Sequence, residues 1–323
     1  MAPLASHARP TMEGVHRARA RIEPYLNPTP FRRYPSIGEL VGAEIWAKHE
    51  NFNPTGAFKV RGGVNLVAAE ADDIRDRGVI AASTGNHGQS VAYAAQLFGV
   101  AARICVPEDA NPVKVRAMRE LEAEVIFHGK DFDDAREHCQ TLAQQHGYRY
   151  VHSGDEPLLL EGVATYALEL LEAEPGIEVI LVPIGGGSGA AGTCIAAKSL
   201  RPSIEVIGVQ SEAAPAAYLS WRSHSLVEDQ MNTVVEGLAT RTAFALPQAI
   251  MWELLDDFLL VSEDAIRSAT LTMIEHTRTL VEGAGAAALA GALSIKERLK
   301  GRRVALICSG ANVTPEQLRA LFA

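Results

Sequence analysis

At 323 residues the chain is longer than most single hydrophobic cores, so two domains or lobes are expected. Its apolar fraction of 47% and charged fraction of 21% are those of an ordinary globular enzyme, and a net charge of -9 argues against a nucleic-acid binder. No apolar run reaches the roughly 18 residues of a membrane span, and Met1 to Met12 lacks the apolar stretch of a secretory signal.

Short apolar, β-branched runs predict strands at Glu44–Lys48, Val79–Ser83, Ala102–Val106, Glu124–His128, Arg149–His152, Val179–Ile184, Glu205–Gln210, Phe258–Val261 and Arg303–Cys308. Most are continuously apolar rather than alternating. That is the pattern of strands buried on both faces, and it predicts an α/β fold with two open, mostly parallel twisted sheets flanked by helices. Helical spacing is clearest at Pro112–Leu121, Phe132–His146, Glu161–Leu171, Asp264–Thr279 and Gly285–Leu299, and a further helix is expected at Gln89–Phe98. The stretch Ala213–Glu236 is weakly periodic, and irregular stretches of that length are often functional or at an interface. Four of the strands fall within 72–151, which predicts a small inserted domain. Residues 1–71 and 152–323 would form the larger one. Cys105, Cys139, Cys194 and Cys308 form no Cys-x-x-Cys pair and suit reduced core thiols of a cytosolic protein. Ten scattered histidines give no His-x-x-x-His, so no metal site is expected.

Four segments carry chemistry. Asn53–Gly63 puts Lys59 between Phe58 and a helix start, after a Pro-Thr-Gly turn. A desolvated lysine has a lowered pKa and a reactive neutral amine, although a lone lysine here is more often a surface residue. Ser83-Thr84-Gly85-Asn86-His87-Gly88 follows a strand and opens a helix, where unpaired N–H groups bind a carboxylate or simply form a capped turn. Gly185-Gly186-Gly187-Ser188-Gly189 follows another strand and has the backbone freedom to close on a phosphate. The same loop contains Gly-x-Gly-x-x-Gly at Gly187, Gly189 and Gly192, with Glu212 as a ribose acid, so a dinucleotide reading is open. Ser309-Gly310-Ala311-Asn312 ends the last strand, where α/β sheets place ligands.

In this order the segments resemble the fold-type II pyridoxal-phosphate enzymes, in particular the threonine/serine dehydratases and serine racemases, from Thr29-Pro30 to Asn312. The resemblance implies pyridoxal 5'-phosphate as cofactor. Lys59 would be the Schiff-base lysine and the base for the Cα proton, with Thr84 where racemases carry a second acid/base serine. Phe58, Asn86, Gly237, Glu282 and Ser309 would surround the ring. Gly185, Gly186, Gly187, Ser188 and Gly189 would hold the phosphate. Ser83, Thr84, Asn86 and His87 would line the substrate carboxylate site. A serine at the ring nitrogen favours β-elimination over transamination, so the expected reaction removes water from a 3-hydroxy amino acid to give a 2-oxo acid and ammonia. The alternatives are a serine racemase or dual racemase/dehydratase, and a specialised dehydratase of hydroxyectoine breakdown. From another class come a non-catalytic or NAD-dependent α/β protein. Gln210 and Ala216 stand where the family's cation ligands are usually acidic, so no metal is expected. The resemblance also implies a homodimer or homotetramer, lobe closure on substrate, and no isoleucine feedback, because the chain stops at Ala323.

Overall fold

In the computed structural model residues 9–322 are described; residues 1–8, most of the segment read for a secretory signal, and Ala323 lie outside that range. The strands are β1 (Phe31–Arg33), β2 (Glu44–His49), β3 (Val79–Ala82), β4 (Ala102–Val106), β5 (Glu124–Phe127), β6 (Arg149–Tyr150), β7 (Val179–Pro183), β8 (Glu205–Ser211), β9 (Asp257–Val261) and β10 (Arg303–Cys308). They form a six-stranded sheet in the order β1-β2-β10-β7-β8-β9 and a four-stranded sheet in the order β5-β4-β3-β6. Every pairing is parallel except β1 with β2.

Both faces of the larger sheet are buried, which is why its strands read as unbroken apolar runs. In β7 and β10, Ile180, Val182, Ala305 and Ile307 face one way, into the helices Pro157–Ala173 and Ser188–Leu200. Val179, Leu181, Val304 and Leu306 face the other way, into the helices Glu263–Thr277 and Gly283–Ser294. The register puts Val304 between Ile45 and Val179, so each layer of side chains runs across three strands. The smaller sheet packs Val79, Ala81, Ile104 and Val106 against the helices Lys59–Ile74 and Asn86–Phe98. Its other face buries Ile80, Ala82 and Cys105 against Cys139 of the helix Phe132–His146.

Local chemistry sets the helix ends. Asn111, Asp131 and Ser262 each accept a first-turn backbone N–H, and Thr314 with Gln317 forms a capping box. Gly42, Gly99 and Gly147 stop helices in the left-handed conformation at φ +77, +64 and +72.

All nine expected strands are present within a residue or two. β1 was not expected: it is three residues long and two of them are arginines, so it carries no apolar run. The expected helix 285–299 is two helices, Gly283–Ser294 and Lys296–Leu299, broken at Ile295. The helix expected at Glu161–Leu171 runs from Pro157 to Ala173, because Pro157 occupies a first-turn position that needs no N–H. Ala213–Glu236 contains one helix, Ala216–Ser223, which ends at His224 with φ +52. All four cysteines are buried and unpaired. No helix among the described residues is long and apolar enough to cross a membrane.

Candidate active site

The carboxyl ends of β3, β7 and β10 carry the three loops singled out above, and they meet around Lys59. The lysine opens its helix directly after Gly56, which sits at φ +68. A side chain at Gly56 would also press to 2.8 Å from Asn312 Oδ1. The turn is clamped by the loop after β10. Phe58 N donates to Ser309 O at 3.0 Å, and Ala311 N donates to Gly56 O at 2.9 Å. From the other side Ser90 Oγ donates to Lys59 O at 2.7 Å.

The Lys59 ammonium is half-buried. Its Nζ donates to Ser153 O at 2.9 Å and to Ser188 Oγ at 2.8 Å, and it lies 5.5 Å from the Phe58 ring centre. No carboxylate pairs with it among the described residues, and burial lowers its pKa to about 8. A group of that pKa holds a useful fraction of neutral, nucleophilic amine at neutral pH.

Two residues further on, Arg61 is 1% exposed yet fully engaged. It donates through Nε and Nη2 to Glu50 at 2.6 and 2.9 Å, and through Nη1 and Nη2 to Glu169 at 2.6 and 2.9 Å. Lys48 Nζ, also buried, donates to Glu169 Oε2 at 2.5 Å and to Thr29 O at 2.9 Å. This cluster fixes the first turn of the lysine helix against β2 and the helix Pro157–Ala173. Nothing in the spacing of the sequence marks this cluster, because Glu50, Arg61 and Glu169 come together only in the fold.

The glycine loop after β7 is a cradle that excludes a side chain at Gly185, Gly186 and Gly187. A Cβ on Gly186 would lie 2.0 Å from the Phe244 ring, and one on Gly185 would lie 2.4 Å from Gly237 O. Gly187 sits at φ +90, and a Cβ there would meet Met251 at 2.8 Å. The helix that follows has no side-chain cap, so its first N–H groups point into the loop unclaimed by the helix. Phe58 lies against the same loop, edge-on to Tyr166 at 6.1 Å, and Tyr166 OH donates to Gly189 O at 2.8 Å.

The loop after β3 presents the second helix N-terminus, likewise without a side-chain cap on its N-cap residue Gly85. Ser83 Oγ accepts from Gly85 N at 3.2 Å. His87 Nε2 donates to Val151 O at 3.1 Å, and its buried Nδ1 has no partner among the described residues. Burial, then the Lys59 charge, pushes the His87 pKa down to about 3, so this residue is neutral and an anion here would meet backbone N–H groups. Thr84 lies half-buried between Ser83 and Gly85. Asn86 Nδ2 donates to Glu282 Oε1 at 3.0 Å, and its Oδ1 accepts from Asn312 Nδ2 at 2.6 Å. Asn312 Nδ2 also donates to Thr55 O at 2.8 Å, so it ties the lysine turn to Asn86. Burial raises the Glu282 pKa, opposed by the Asn86 hydrogen bond. Gly237 backs onto Gly185, and Gly310 packs where a Cβ would lie 2.3 Å from Glu282 Oε1. Ser309 is buried at the mouth of β10.

All fourteen residues singled out in the sequence therefore lie on the segments that converge at Lys59. Asn312, Phe244 and Ser153 join them. Asn312 belonged to a motif without a role; Phe244 and Ser153 had no motif to reveal them.

The family model for pyridoxal-phosphate dependent enzymes matches residues 22–310. The protein belongs to that family. Among curated relatives it is 36% identical to L-threonine ammonia-lyase of Thermotoga maritima over 304 residues, 94% of this chain and 76% of that protein. It is 36% identical to L-threo-3-hydroxyaspartate ammonia-lyase of Saccharomyces cerevisiae over 314 residues, 97% of this chain and 96% of that protein. The crystal structure of serine racemase from Dictyostelium discoideum superimposes with a TM-score of 0.89 at 34% identity, covering 95% of this chain and all of that one.

The cofactor of the family is pyridoxal phosphate, and the residues present fit it. An unpaired lysine of lowered pKa suits its aldehyde. A glycine loop at an uncapped helix start, with the Ser188 hydroxyl as a further donor, suits its phosphate. The dinucleotide alternative gives way to this match. Among the described residues no group of three or more His, Cys, Asp or Glu is placed to hold a metal ion. Gln210 Oε1 accepts from Tyr218 N at 3.0 Å, and Ala216 opens a helix.

Proposed function

We propose that the protein is a lyase that eliminates water from a 3-hydroxy amino acid of the threonine/serine type, giving a 2-oxo acid and ammonia. The observation that carries this reading is Lys59, an unpaired lysine of pKa about 8 held between the glycine cradle and a loop fit for a carboxylate. The ammonia-lyase relatives, at 36% identity over most of the chain, support the same reaction class.

Gly185, Gly186, Gly187, Ser188 and Gly189 would hold the cofactor phosphate, with Phe58, Asn86, Gly237 and Glu282 around the ring. Pyridoxal phosphate, when bound, supplies an aldehyde for amines and an electron sink that acidifies the substrate Cα–H. The backbone N–H groups of Ser83–His87 bind the substrate carboxylate and orient the Cα–H. Lys59 Nζ takes the Cα proton, a contribution typically worth about 10²–10⁴-fold. Ser309 would face the ring nitrogen with a neutral hydroxyl, which is not an acid able to protonate it, and an unprotonated ring would be the weaker electron sink that suits elimination over transamination. The segment 72–151 is assigned as a small domain over this site, and the working form as a homodimer or homotetramer.

The test is to incubate purified protein with pyridoxal phosphate and L-threonine, L-serine, 3-hydroxyaspartate or phenylserine, and to follow 2-oxo acid. Absence of product from all four would defeat the reading. A second reading, racemase or dual activity, is favoured by the 34% identity to serine racemase. Thr84 stands where that reaction needs a second acid/base. Chiral analysis of recovered serine separates the two.

A further inference from the structure

We infer that His152 is a positioning residue for Lys59, acting through the turn that follows β6. The inference rests on Lys59 being the proton-moving group of the proposed reaction.

β6 ends at Tyr150, and the chain then turns over Ser153 to Asp155 before the helix Pro157–Ala173. His152 Nδ1 accepts the N–H groups of both Gly154, at 3.2 Å, and Asp155, at 2.8 Å. Two donors on one ring nitrogen require it to be the bare acceptor of a neutral imidazole, with the proton on Nε2. The ring is held edge-on against Phe244, 4.9 Å between centres. Gly154 packs so closely on the same Phe244 that a Cβ there would lie 2.3 Å from it. The turn is pinned at its far end as well. Leu246 N donates to Asp155 Oδ1 at 2.9 Å, and His152 N donates to Glu156 Oε1 at 3.3 Å. Glu156 is in turn gripped by Arg149.

The carbonyl this turn presents is Ser153 O, one of two acceptors of Lys59 Nζ among the described residues. The other, Ser188 Oγ, belongs to the loop assigned to the cofactor phosphate. That hydroxyl would serve the cofactor phosphate, so whenever Lys59 is free of the cofactor aldehyde Ser153 O is the acceptor left to aim its amine, and the position of this carbonyl depends on the acceptor at the centre of the turn. Remove the acceptor and the part-buried N–H groups of Gly154 and Asp155 lose their shared partner, so the turn loosens.

The test compares His152→Leu with His152→Asn in the cofactor-loaded enzyme. Asn carries its oxygen on the same Cγ, and Asn side chains accept N–H groups two residues on. A misplacement near 1 Å costs up to about a hundredfold, so the Leu variant should lose about ten- to a hundredfold in kcat with KM changed by less than about threefold. The Asn variant should recover most of it. In cofactor-stripped protein, acetylation of Lys59 followed by peptide mass spectrometry should be several times faster in the Leu variant and unchanged in the Asn variant. Gly154→Ala, which displaces the same turn with His152 intact, should copy the Leu variant should that one fail to fold. Wild-type kcat in the Leu variant, or equal losses in Leu and Asn, would overturn the inference. If wild-type protein yields no 2-oxo acid the reaction assignment fails, while the acetylation rates still decide whether His152 holds Lys59.

Discussion

Replacing Arg61 by methionine is the sharpest structural test, because Arg61 neutralises two carboxylates that nothing else can fully satisfy. Glu50 is fully buried and keeps only Thr29 Oγ1 at 2.6 Å and Asn53 Nδ2 at 2.8 Å once Arg61 is gone. Glu169 keeps Lys48. Removing one partner of a buried pair costs about 3–5 kcal/mol, since a charge is left without compensation. At roughly 2 °C per kcal/mol for a chain of this size, the melting temperature should fall by about 6–10 °C at neutral pH.

The loss has a pH signature. In the native protein burial pushes the Glu50 carboxyl up, but the charge and hydrogen bonds of Arg61 outweigh it, and the net direction is down. A depressed carboxyl contributes stability that is complete above its unfolded value, near 4.3, and that is lost as pH falls through the folded one. In the variant burial acts with little opposition, Glu50 takes a proton, and acid no longer harms the fold through it. The gap between the two melting curves should therefore narrow as pH falls from neutral, first as Glu50 of the variant takes its proton on the way to about pH 4 and then, below that, as the native protein loses the contribution of its depressed carboxyl. Calorimetry from pH 3.5 to 7.5 reads both effects. A fall under about 2 °C, or a gap constant with pH, would refute the claim that this cluster holds the lysine helix in place.

Three further outcomes follow from the site. The reactive form of Lys59 is the neutral amine, and its pKa is lowered to about 8, so the rate of cofactor capture by stripped protein should rise with pH and level off above that value. A plateau only beyond about pH 10, as for a solvated lysine, would show that the amine is not buried. Gly186→Ala would drive a Cβ to 2.0 Å from Phe244. At about 1–3 kcal/mol for overpacking, cofactor retention by equilibrium dialysis should weaken roughly ten- to a hundredfold. Asn312→Ala frees the Asn86 carbonyl and the lysine turn together, and kcat should fall about tenfold with little change in melting temperature.

Much of the fold was legible because burial on both faces writes itself into a strand as an unbroken apolar run. Val179–Pro183 and Arg303–Cys308 are examples. β1 was not legible, since it is recruited by pairing with β2 and not by its own residues. The glycine cradle was legible because close approach leaves no residue type but glycine. The supports of the site were hidden. Arg61 and Glu169 are 108 residues apart and look like solvated charges until the fold buries them together. Asn312 reaches Asn86 across 226 residues. His152 and Phe244 act through packing and backbone contacts that leave no spacing in the sequence.

Lys59 is proposed as the amine that holds the cofactor and moves the substrate proton. Borohydride reduction of the cofactor-loaded protein, followed by peptide mass mapping, tests it directly. A reduced cofactor adduct is expected on the peptide containing Lys59, with bleached colour and lost 2-oxo acid formation. An adduct on another lysine, such as Lys114, or an active protein with Lys59 unmodified, would contradict it.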